Sequence, residues 1–427
     1  MNKRVFLVDG LRTPILKARS SKGPFTSSDL AVQAGRPLLA RSGMEAEWFD
    51  EVILGCVMPS EREANIGRVA SLRLGFDESK PAWTVARNCA SGLQAIDSAV
   101  NRIQCGESDV VLAGGSEAMS HAPVMFGEKY VNWLGSFASA KTPAQKLKSL
   151  SKFRPAMLKP VFSLEHGLTD PVVKLNMGQT AEKIAARFDI SRQAMDEYAV
   201  RSHLRAVAAH EEGVYDGEIQ PIIDGKGKVY DRDNGVRADS NVEKLLTLKP
   251  VFDRPYGKVT AANSSQISDG ASWVILASEE AVTKHKLEPM AEIKMVKWAG
   301  LDPSEMGLGP VHAIAKVLEE SELTVDDIDY WEINEAFAAQ VLACCAAFES
   351  EAYCKNELGL KAAIGKIDQN RLNIHGGGVA CGHPVGMSGN RIALHLARTL
   401  KQKGAKRGIA SLCIGGGQGG ATLIEAL

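Results

Sequence analysis

The sequence predicts an α/β fold, because short apolar runs alternate along the chain with longer segments whose apolar residues recur at helical spacing. Each run is too short for a helix, so a buried strand is expected. The predicted strands are Val5–Val8, Glu51–Cys56, Val110–Ala113, Val274–Leu276, Ala291–Val296, Ile328–Ile333 and Gly408–Ile414. The helices predicted between them are Asp29–Arg41, Val311–Glu320 and Gly389–Lys403.

The middle of the chain differs in composition from the rest. The section from Met119 to Pro250 is rich in Lys, Pro, Met and Ser and has a charged, strongly helical centre at Ala181–Glu212. We interpret it as an insertion in the first α/β unit, whose strand pattern resumes at Val259–Ala262. The predicted division is 1–118 with 251–280 for the first unit, 119–250 for the insertion and 281–427 for the second unit.

The two units share a weak internal repeat. In Asp109–Ser116 and again in Gly408–Gly417, an apolar strand ends on paired glycines. Because glycines often follow strands, a true repeat and a coincidence both stay open at this point.

Charge and composition exclude some classes of partner. The chain carries 50 Lys and Arg against 51 Asp and Glu, so no global field recruits nucleic acid or a membrane surface. A local basic patch for a phosphorylated ligand stays compatible with this balance. The first residues run directly into a strand, and no apolar run reaches the roughly 20 residues of a spanning helix. We expect a cytoplasmic protein without membrane contact, although the basic helix Ala144–Phe153 leaves an amphipathic contact open.

Cys89 is the first candidate for chemistry. The eight cysteines contain no CxxC pair, which argues against a zinc ribbon or a disulfide framework. Cys89 lies where an extended stretch ending at Asn88 turns into a helix with apolar residues from Leu93 to Ile103. A helix N-terminus favours a thiolate and lowers its pKa, so a nucleophile is expected here. A small residue at a tight turn is the alternative.

A glycine-rich loop surrounds His383. The segment Asn373–Arg391 is dense in glycine and contains a His-Pro step. This composition is typical of a loop whose backbone closely approaches a ligand or another part of the chain. An imidazole held there can deprotonate a thiol or donate to an oxyanion. No further pair at ligand spacing accompanies Cys381 and His383, so we expect no metal site, and His375 is expected to be structural.

Two further segments end in potentially reactive polar groups. Cys413 precedes Gly415, Gly417 and Gly420, which spell GxGxxG, but too little chain follows for a dinucleotide site. A glycine turn that presents Cys413 is expected instead. Asn334 ends a predicted strand, where open α/β sheets bind ligands, and a helix cap is an equal alternative.

In chain order these segments resemble the thiolase family over essentially the whole sequence. Four segments are similar to its active-site loops and two to further family motifs. They are Asn88–Gly92, Asn334–Ala338, Gly382–Pro384 and Cys413–Gly417, and then Gly114–Ser120 and Gly257–Ser265. The resemblance implies a five-layered αβαβα fold of two similar halves, with Met119–Pro250 as a loop domain over the CoA and acyl group.

The resemblance also implies roles. Cys89 would be the nucleophile that takes the acyl group, His383 its base, and Cys413 the acid/base at the α-carbon of acetyl-CoA. Asn334, through a water, would form one oxyanion hole with His383, and the N–H groups of Cys89 and Gly415 the other. No metal or cofactor is implied, since CoA is a substrate. The implied pocket residues are Ser265, Met177, Met306 and Phe337.

Within the family, the resemblance implies a 3-ketoacyl-CoA thiolase, with a short-chain acetyl-CoA C-acetyltransferase as the alternative. Lys146–Pro155 and Phe348–Arg371 are similar to the β-subunit of the fatty-acid oxidation trifunctional enzyme, whereas Asp302–Pro310 follows biosynthetic and general degradative members. The implied partners are acyl-CoA and CoA, further copies in a homodimer or homotetramer, and a hydratase/dehydrogenase α-subunit. A ketoacyl-carrier-protein synthase, which shares the fold but uses Cys-His-His, is disfavoured because its second catalytic histidine is missing here and Cys413 is in place.

Overall fold

The computed structural model describes residues 3–19 and 21–427. Its strands are β1 (Val5–Arg12), β2 (Leu16–Lys17), β3 (Glu51–Gly55), β4 (Ala82–Val85), β5 (Val110–Ala118), β6 (Val124–Phe126), β7 (Pro160–Phe162), β8 (Ile222–Ile223), β9 (Val229–Tyr230), β10 (Ser268–Ser278), β11 (Ala291–Gly300), β12 (Tyr330–Ile333), β13 (Arg407–Ile414) and β14 (Gln418–Ala426).

The helices are α1 (Ser27–Ser42), α2 (Ile66–Leu74), α3 (Ser91–Gln104), α4 (Glu128–Ser139), α5 (Pro143–Leu150), α6 (Ser163–Gly167), α7 (Met177–Arg187), α8 (Arg192–Glu211), α9 (Val242–Leu246), α10 (Glu279–His285), α11 (Gly309–Ser321), α12 (Ala338–Glu349), α13 (Glu351–Leu358), α14 (Gly378–Cys381) and α15 (Val385–Lys403). No helix in these two described ranges is both long and apolar enough to cross a bilayer.

The two halves have the same sheet topology. In the first half β3 runs parallel to β4 and β5, and β10 lies antiparallel between β5 and β1. In the second half β12 runs parallel to β13 and to a bridge at Leu372, and β14 lies antiparallel between β13 and β11. The weak repeat in the sequence falls on β5 and β13, which hold the same place in the two halves.

The elements stack in five layers. Helices α1 and α2 cover the outer face of the first half-sheet, and α3 packs on its inner face beside α15. Helix α15 also contacts the second half-sheet, whose outer face is covered by α11. Strand β10 shows how the sheet is buried on both sides, since Trp273 faces the outer core and Val274 faces the central one. Burial of both faces explains why the strands are continuous apolar runs in the sequence.

The predicted strands and helices are confirmed, with one exception. Val259–Ala262 is a loop, because the N–H of Val259 donates to the Glu182 carboxylate and that of Thr260 to the Asn263 side chain. The first unit is completed by β10 instead. The helical centre of the insertion is two helices, α7 and α8, and the Ser191 side chain caps the second. The predicted domain boundaries stay a prediction.

Candidate active site

One cavity collects most of the residues that the sequence singled out. It has a volume of about 400 Å³ and receives side chains from both halves and from the inserted section. The predicted residues that line it are Cys89, His383, Cys413, Ser265, Met177, Met306 and Phe337. Asn334 and Gly415 do not line the cavity; they lie in the loops that follow β12 and β13, each two residues along the chain from the lining residues Ala336 and Cys413.

Cys89 lies just before α3 in a tight turn. The Ser91 hydroxyl accepts from the N–H of Arg87 and donates to the carbonyl of Asn88, which has a left-handed φ of 43°. Burial raises the pKa of Cys89, and hydrogen bonds from the N–H groups of Gly415 and of Cys89 itself oppose that rise only in part. The expectation of a lowered pKa at this helix N-terminus is therefore wrong, because loss of solvent outweighs the nearby donors.

His383 is held as a neutral imidazole with a defined free nitrogen. The Ser388 hydroxyl donates to the carbonyl of Pro384 at 2.9 Å, so at 2.6 Å it must accept from Nδ1–H of His383. Nε2 of His383 is therefore the basic nitrogen, and it has no partner among the described residues. Burial and the charge of Arg391 lower the pKa of His383 to about 4. The imidazole can accept a proton from a thiol at neutral pH.

Cys413 places a second thiol on the same cavity. It is the penultimate residue of β13 and is fully buried. Burial raises its pKa well above the ordinary value, and the nearby Cys89 adds to that rise. The turn after β13 has positive φ at Gly416 and Gly417, which confirms the expected glycine turn. Both thiols are thus protonated in the resting state.

The loops behind the cavity supply hydrogen-bonding groups without protein partners. The side-chain amide nitrogen and oxygen of Asn334 are buried and have no partner within the described part of the chain. The backbone N–H of Asn334 donates to the carbonyl of Ser411 at 2.9 Å. The carbonyl of Gly415 accepts from the Asn88 side chain at 2.8 Å, which fixes this loop against the Cys89 turn. Buried polar atoms rarely lack partners, so the Asn334 amide is poised to bind water or substrate.

Comparison with known proteins identifies the family. Residues 5–280 match the thiolase N-terminal domain and residues 287–426 match the thiolase C-terminal domain. The chain belongs to the thiolase family. It is accordingly an acyltransferase enzyme, and its sheet topology is that of the thiolase fold.

Similar proteins agree with this assignment along the whole chain. The β-subunit of the mitochondrial trifunctional enzyme of Bos taurus is 38% identical over 425 residues, covering 99% of this chain and 88% of that protein. The β-ketoadipyl-CoA thiolase of Pseudomonas aeruginosa is 38% identical over 430 residues, covering 100% of both. The crystal structure of human mitochondrial 3-ketoacyl-CoA thiolase in complex with CoA has a TM-score of 0.85 and 36% identity, covering 100% of this chain and 98% of that one.

Two positioning residues of this thiolase were missed in the sequence. Ser388 fixes the tautomer of His383, and Glu335 ties together the loops around Asn334. The buried Glu335 carboxylate accepts from Tyr198 at 2.9 Å, from Ser202 at 2.6 Å and from two donors on the glycine-rich loop. Their signals were weak. Ser388 lies one helical turn after the His-Pro step, and Glu335 is an acid directly at a buried strand end.

The pKa of Cys89 can be tested by alkylation. We expect iodoacetamide to modify Cys89 slowly at neutral pH and faster as the pH passes the ordinary pKa of a thiol, because burial disfavours the thiolate. Peptide-resolved mass spectrometry follows Cys89, with the exposed Cys105 as internal reference. Alkylation of Cys89 that is already maximal at neutral pH would contradict this, since it would require a thiolate in the resting enzyme.

The role of Glu335 can be tested by an isosteric change. Glu335→Gln turns one accepting oxygen into a donor that faces other donors. We therefore expect the free energy of unfolding to fall by about 1–3 kcal/mol. The thermal unfolding midpoint should fall measurably. Glu351→Gln, at an exposed position of α13, is the matched control and should leave the midpoint unchanged. Equal midpoints for the two variants would show that Glu335 does not organise the loops.

Proposed function

We propose that the protein cleaves 3-ketoacyl-CoA with CoA, giving acetyl-CoA and a shortened acyl-CoA through an acyl-enzyme on Cys89. One observation carries the proposal, namely two neutral thiols and one neutral imidazole on a single, largely apolar cavity. Thiol chemistry at a thioester needs a nucleophile, a base and a second proton donor, and these three groups supply them. The reaction needs no bound metal or cofactor.

In the first half-reaction, Nε2 of His383 takes the proton of Cys89, and the thiolate attacks the 3-keto carbon. The bond between C2 and C3 of the substrate then breaks, its electron pair passes to C2, and Cys413 gives its proton to C2. Acetyl-CoA leaves, and Cys89 carries the remaining acyl group as a thioester. The N–H groups of Cys89 and Gly415, which favour the thiolate form of Cys89, would donate to an oxyanion at this carbon.

In the second half-reaction, the thiol of a new CoA attacks the acyl-enzyme and gives its proton to the Cys413 thiolate. The Cys89 sulfur leaves and recovers its proton from His383, so every group returns to its starting state. Asn334 would support the enolate step, because its buried amide and the protonated imidazole both carry N–H donors that have no partner among residues 3–19 and 21–427.

The walls of the cavity support an acyl substrate. Met119, Leu168 and Phe252 join Phe337 and Met306 on its apolar side. A cavity of about 400 Å³ lies within the usual range for small-molecule sites, about 300–1,000 Å³. Cleavage of medium or long 3-ketoacyl chains is the proposed direction, and formation or cleavage of acetoacetyl-CoA is the alternative that the substrate series below separates.

The rim of the cavity supports a phosphorylated substrate. Lys17 lines both the catalytic cavity and an adjoining one that also receives Arg19, Lys22 and Lys228. Burial lowers the pKa of Lys17, and the charges of Arg237 and Arg19 lower it further, so cations crowd this rim. None of these five cations, Lys17, Arg19, Lys22, Lys228 and Arg237, forms an ion pair with an acid in residues 3–19 or 21–427. Phosphate groups of CoA are the counter-charge that fits this position.

Assembly is a further part of the proposal. The similarity to a trifunctional-enzyme β-subunit supports a hydratase/dehydrogenase α-subunit as partner, and family resemblance supports a homodimer or homotetramer. The cytoplasm is the proposed compartment. Size-exclusion chromatography with light scattering, alone and with a candidate α-subunit, tests the assembly.

The reaction is tested first by a substrate series. We expect CoA-dependent cleavage of 3-ketoacyl-CoAs, with kcat/KM that rises from acetoacetyl-CoA to 3-ketopalmitoyl-CoA because longer chains bury more apolar surface. Cys89→Ala should lose turnover by at least about 10³-fold while its thermal midpoint stays that of the parent. Activity confined to acetoacetyl-CoA would move the assignment to the acetyltransferase, and a normally active Cys89→Ala variant would overturn the acyl-enzyme.

The phosphate-binding rim is tested by substrate truncation. Lys17→Ala should raise the KM for CoA roughly fivefold, because an exposed charge–phosphate contact is worth about 1 kcal/mol. The KM for pantetheine, which lacks the phosphates, should not change. Lys361→Ala removes an equally exposed lysine elsewhere and serves as control. Parallel rises in KM for CoA and pantetheine would place Lys17 in a different role.

A further inference from the structure

Gln266 lies where three parts of the catalytic region meet. It directly follows Ser265, is half-buried and lines the catalytic cavity. Its side chain contacts the inserted section and the glycine-rich loop, and its backbone contacts His383. None of these contacts belongs to the proposed reaction steps, so the residue has so far no role in the site.

The side-chain amide of Gln266 bridges two carbonyl groups that belong to different segments. Nε2 donates to the carbonyl of Gly235 in the inserted section at 3.0 Å and to that of Ala380 in α14 at 3.4 Å. Carbonyl oxygens only accept hydrogen bonds, so the amide must turn its NH2 group toward both of them. One nitrogen therefore ties the inserted section to the helix that ends two residues before His383.

The backbone of Gln266 holds the next part of the same loop. The N–H of His383 donates to the carbonyl of Gln266 at 3.1 Å, and the Ser268 hydroxyl donates to the same carbonyl at 2.7 Å. Gly382 has a left-handed φ of 109°, and a Cβ atom there would overlap the Ser268 hydroxyl. The His383 loop thus lies directly against residues 266–268.

The other end of the bridge is a fixed anchor. Asp233, two residues before Gly235, is buried, and its carboxylate accepts from the Arg12 guanidinium and from the N–H of Ile15, each at 2.7 Å. The N–H of Asn234 donates to the carbonyl of Ile15 at 3.1 Å. The loop that carries Gly235 is therefore held by the first half of the molecule.

Gly235 is required by the close approach of this bridge. A Cβ atom there would lie 2.9 Å from Nε2 of Gln266 and 3.0 Å from the carbonyl oxygen of Ala380. Gly235 is not among the glycines with positive φ, so alanine fits its backbone conformation. An alanine at this position would displace the amide of Gln266 without a change in Gln266 itself.

We propose that Gln266 is a positioning residue, whose side-chain amide holds the His383 loop in place against Cys89. This inference rests on the proposed function, in which His383 takes the proton of Cys89. The loop is rich in glycine, so bonds from outside it have to supply its rigidity. A displacement of about 1 Å at reacting groups can lower a rate on the order of a hundredfold. Loss of the bridge should therefore lower kcat and leave substrate binding unchanged.

The experiment compares Gln266→Met and a matched control in the full-length protein. Methionine is nearly isosteric with glutamine and cannot donate a hydrogen bond. The control is Gln402→Met, because Nε2 of Gln402 donates to the carbonyl of Val214 in the inserted section at 3.1 Å, at the far end of α15 from His383. Both variants remove one side-chain bond to the inserted section, and only the first removes it at the His383 loop.

The first readout is steady-state cleavage of acetoacetyl-CoA by CoA, which both candidate functions include. Gln266→Met should lower kcat about tenfold, while the KM values of both substrates stay within about twofold of the parent. Gly235→Ala should lower kcat in the same direction, and it provides the same test should Gln266→Met fail to fold. Gln402→Met should match the parent.

The second readout is hydrogen–deuterium exchange, which follows the loop without any substrate. Peptides that cover residues 379–386 should exchange about fivefold faster in Gln266→Met, as expected for the loss of one hydrogen bond of ordinary net strength. Peptides from α1 should exchange as in the parent, which shows that the variant is folded. Gln402→Met should leave residues 379–386 unchanged.

The outcomes separate this inference from the proposed function. Equal kcat and equal exchange at residues 379–386 in Gln266→Met and Gln402→Met would overturn the positioning role. A raised KM with unchanged kcat would also overturn it, since Gln266 would then contact the substrate. A parent that cleaves no 3-ketoacyl-CoA would contradict the proposed function, whereas the exchange comparison would still decide whether Gln266 holds the loop.

Discussion

The close packing of α3 against α15 in the central layer is the constraint on which the site depends. A Cβ atom at Gly92 would lie 2.7 Å from the backbone nitrogen of Asn390, and one at Gly389 would lie 2.6 Å from that of Leu93. Real side chains never approach so closely, so glycine is required on both helices. Because Cys89 lies two residues before α3 and His383 two residues before α15, this packing brings the proposed nucleophile and the proposed base to the same cavity.

Buried carboxylates then hold the loops that this packing brings together. Glu117 accepts from the N–H groups of Val57 and Gly386 and so ties the end of the first half-sheet to the His383 loop. The Arg12 guanidinium of β1 donates hydrogen bonds to Asp233 and Glu218 of the inserted section. Glu218 is also hydrogen-bonded to His395 of α15 at 2.7 Å. Each of these carboxylates accepts hydrogen bonds from buried donors, and the Arg12 network links the insertion to both halves.

Local sequence patterns predicted the fold well and the site only in part. The glycines of Asn373–Arg391 indicated a close approach, but they could not show that the neighbour at Gly389 is the backbone of α3 rather than a ligand. Val259–Ala262 has the composition of a strand, yet its amides are taken by Glu182 and Asn263, which are distant or side-chain partners that periodicity does not report. The prediction of a lowered pKa for Cys89 was wrong for the same reason, since burial is a property of the folded chain and not of the local sequence.

The protonation states of the site fit its apolar surroundings. Two thiols and an imidazole that are all neutral place no unpaired charge in the cavity, whose walls include Phe252 and Phe337. In the proposed reaction, charge develops only when a proton passes from the Cys89 sulfur to Nε2 of His383, and the imidazolium then donates to the substrate oxygen. A site that is neutral at rest avoids the desolvation cost of a standing ion pair and keeps its fixed N–H donors for the transition state. The raised pKa of Cys89 fits the proposed reaction, because a resting thiolate would already occupy the N–H donors that the proposed oxyanion needs.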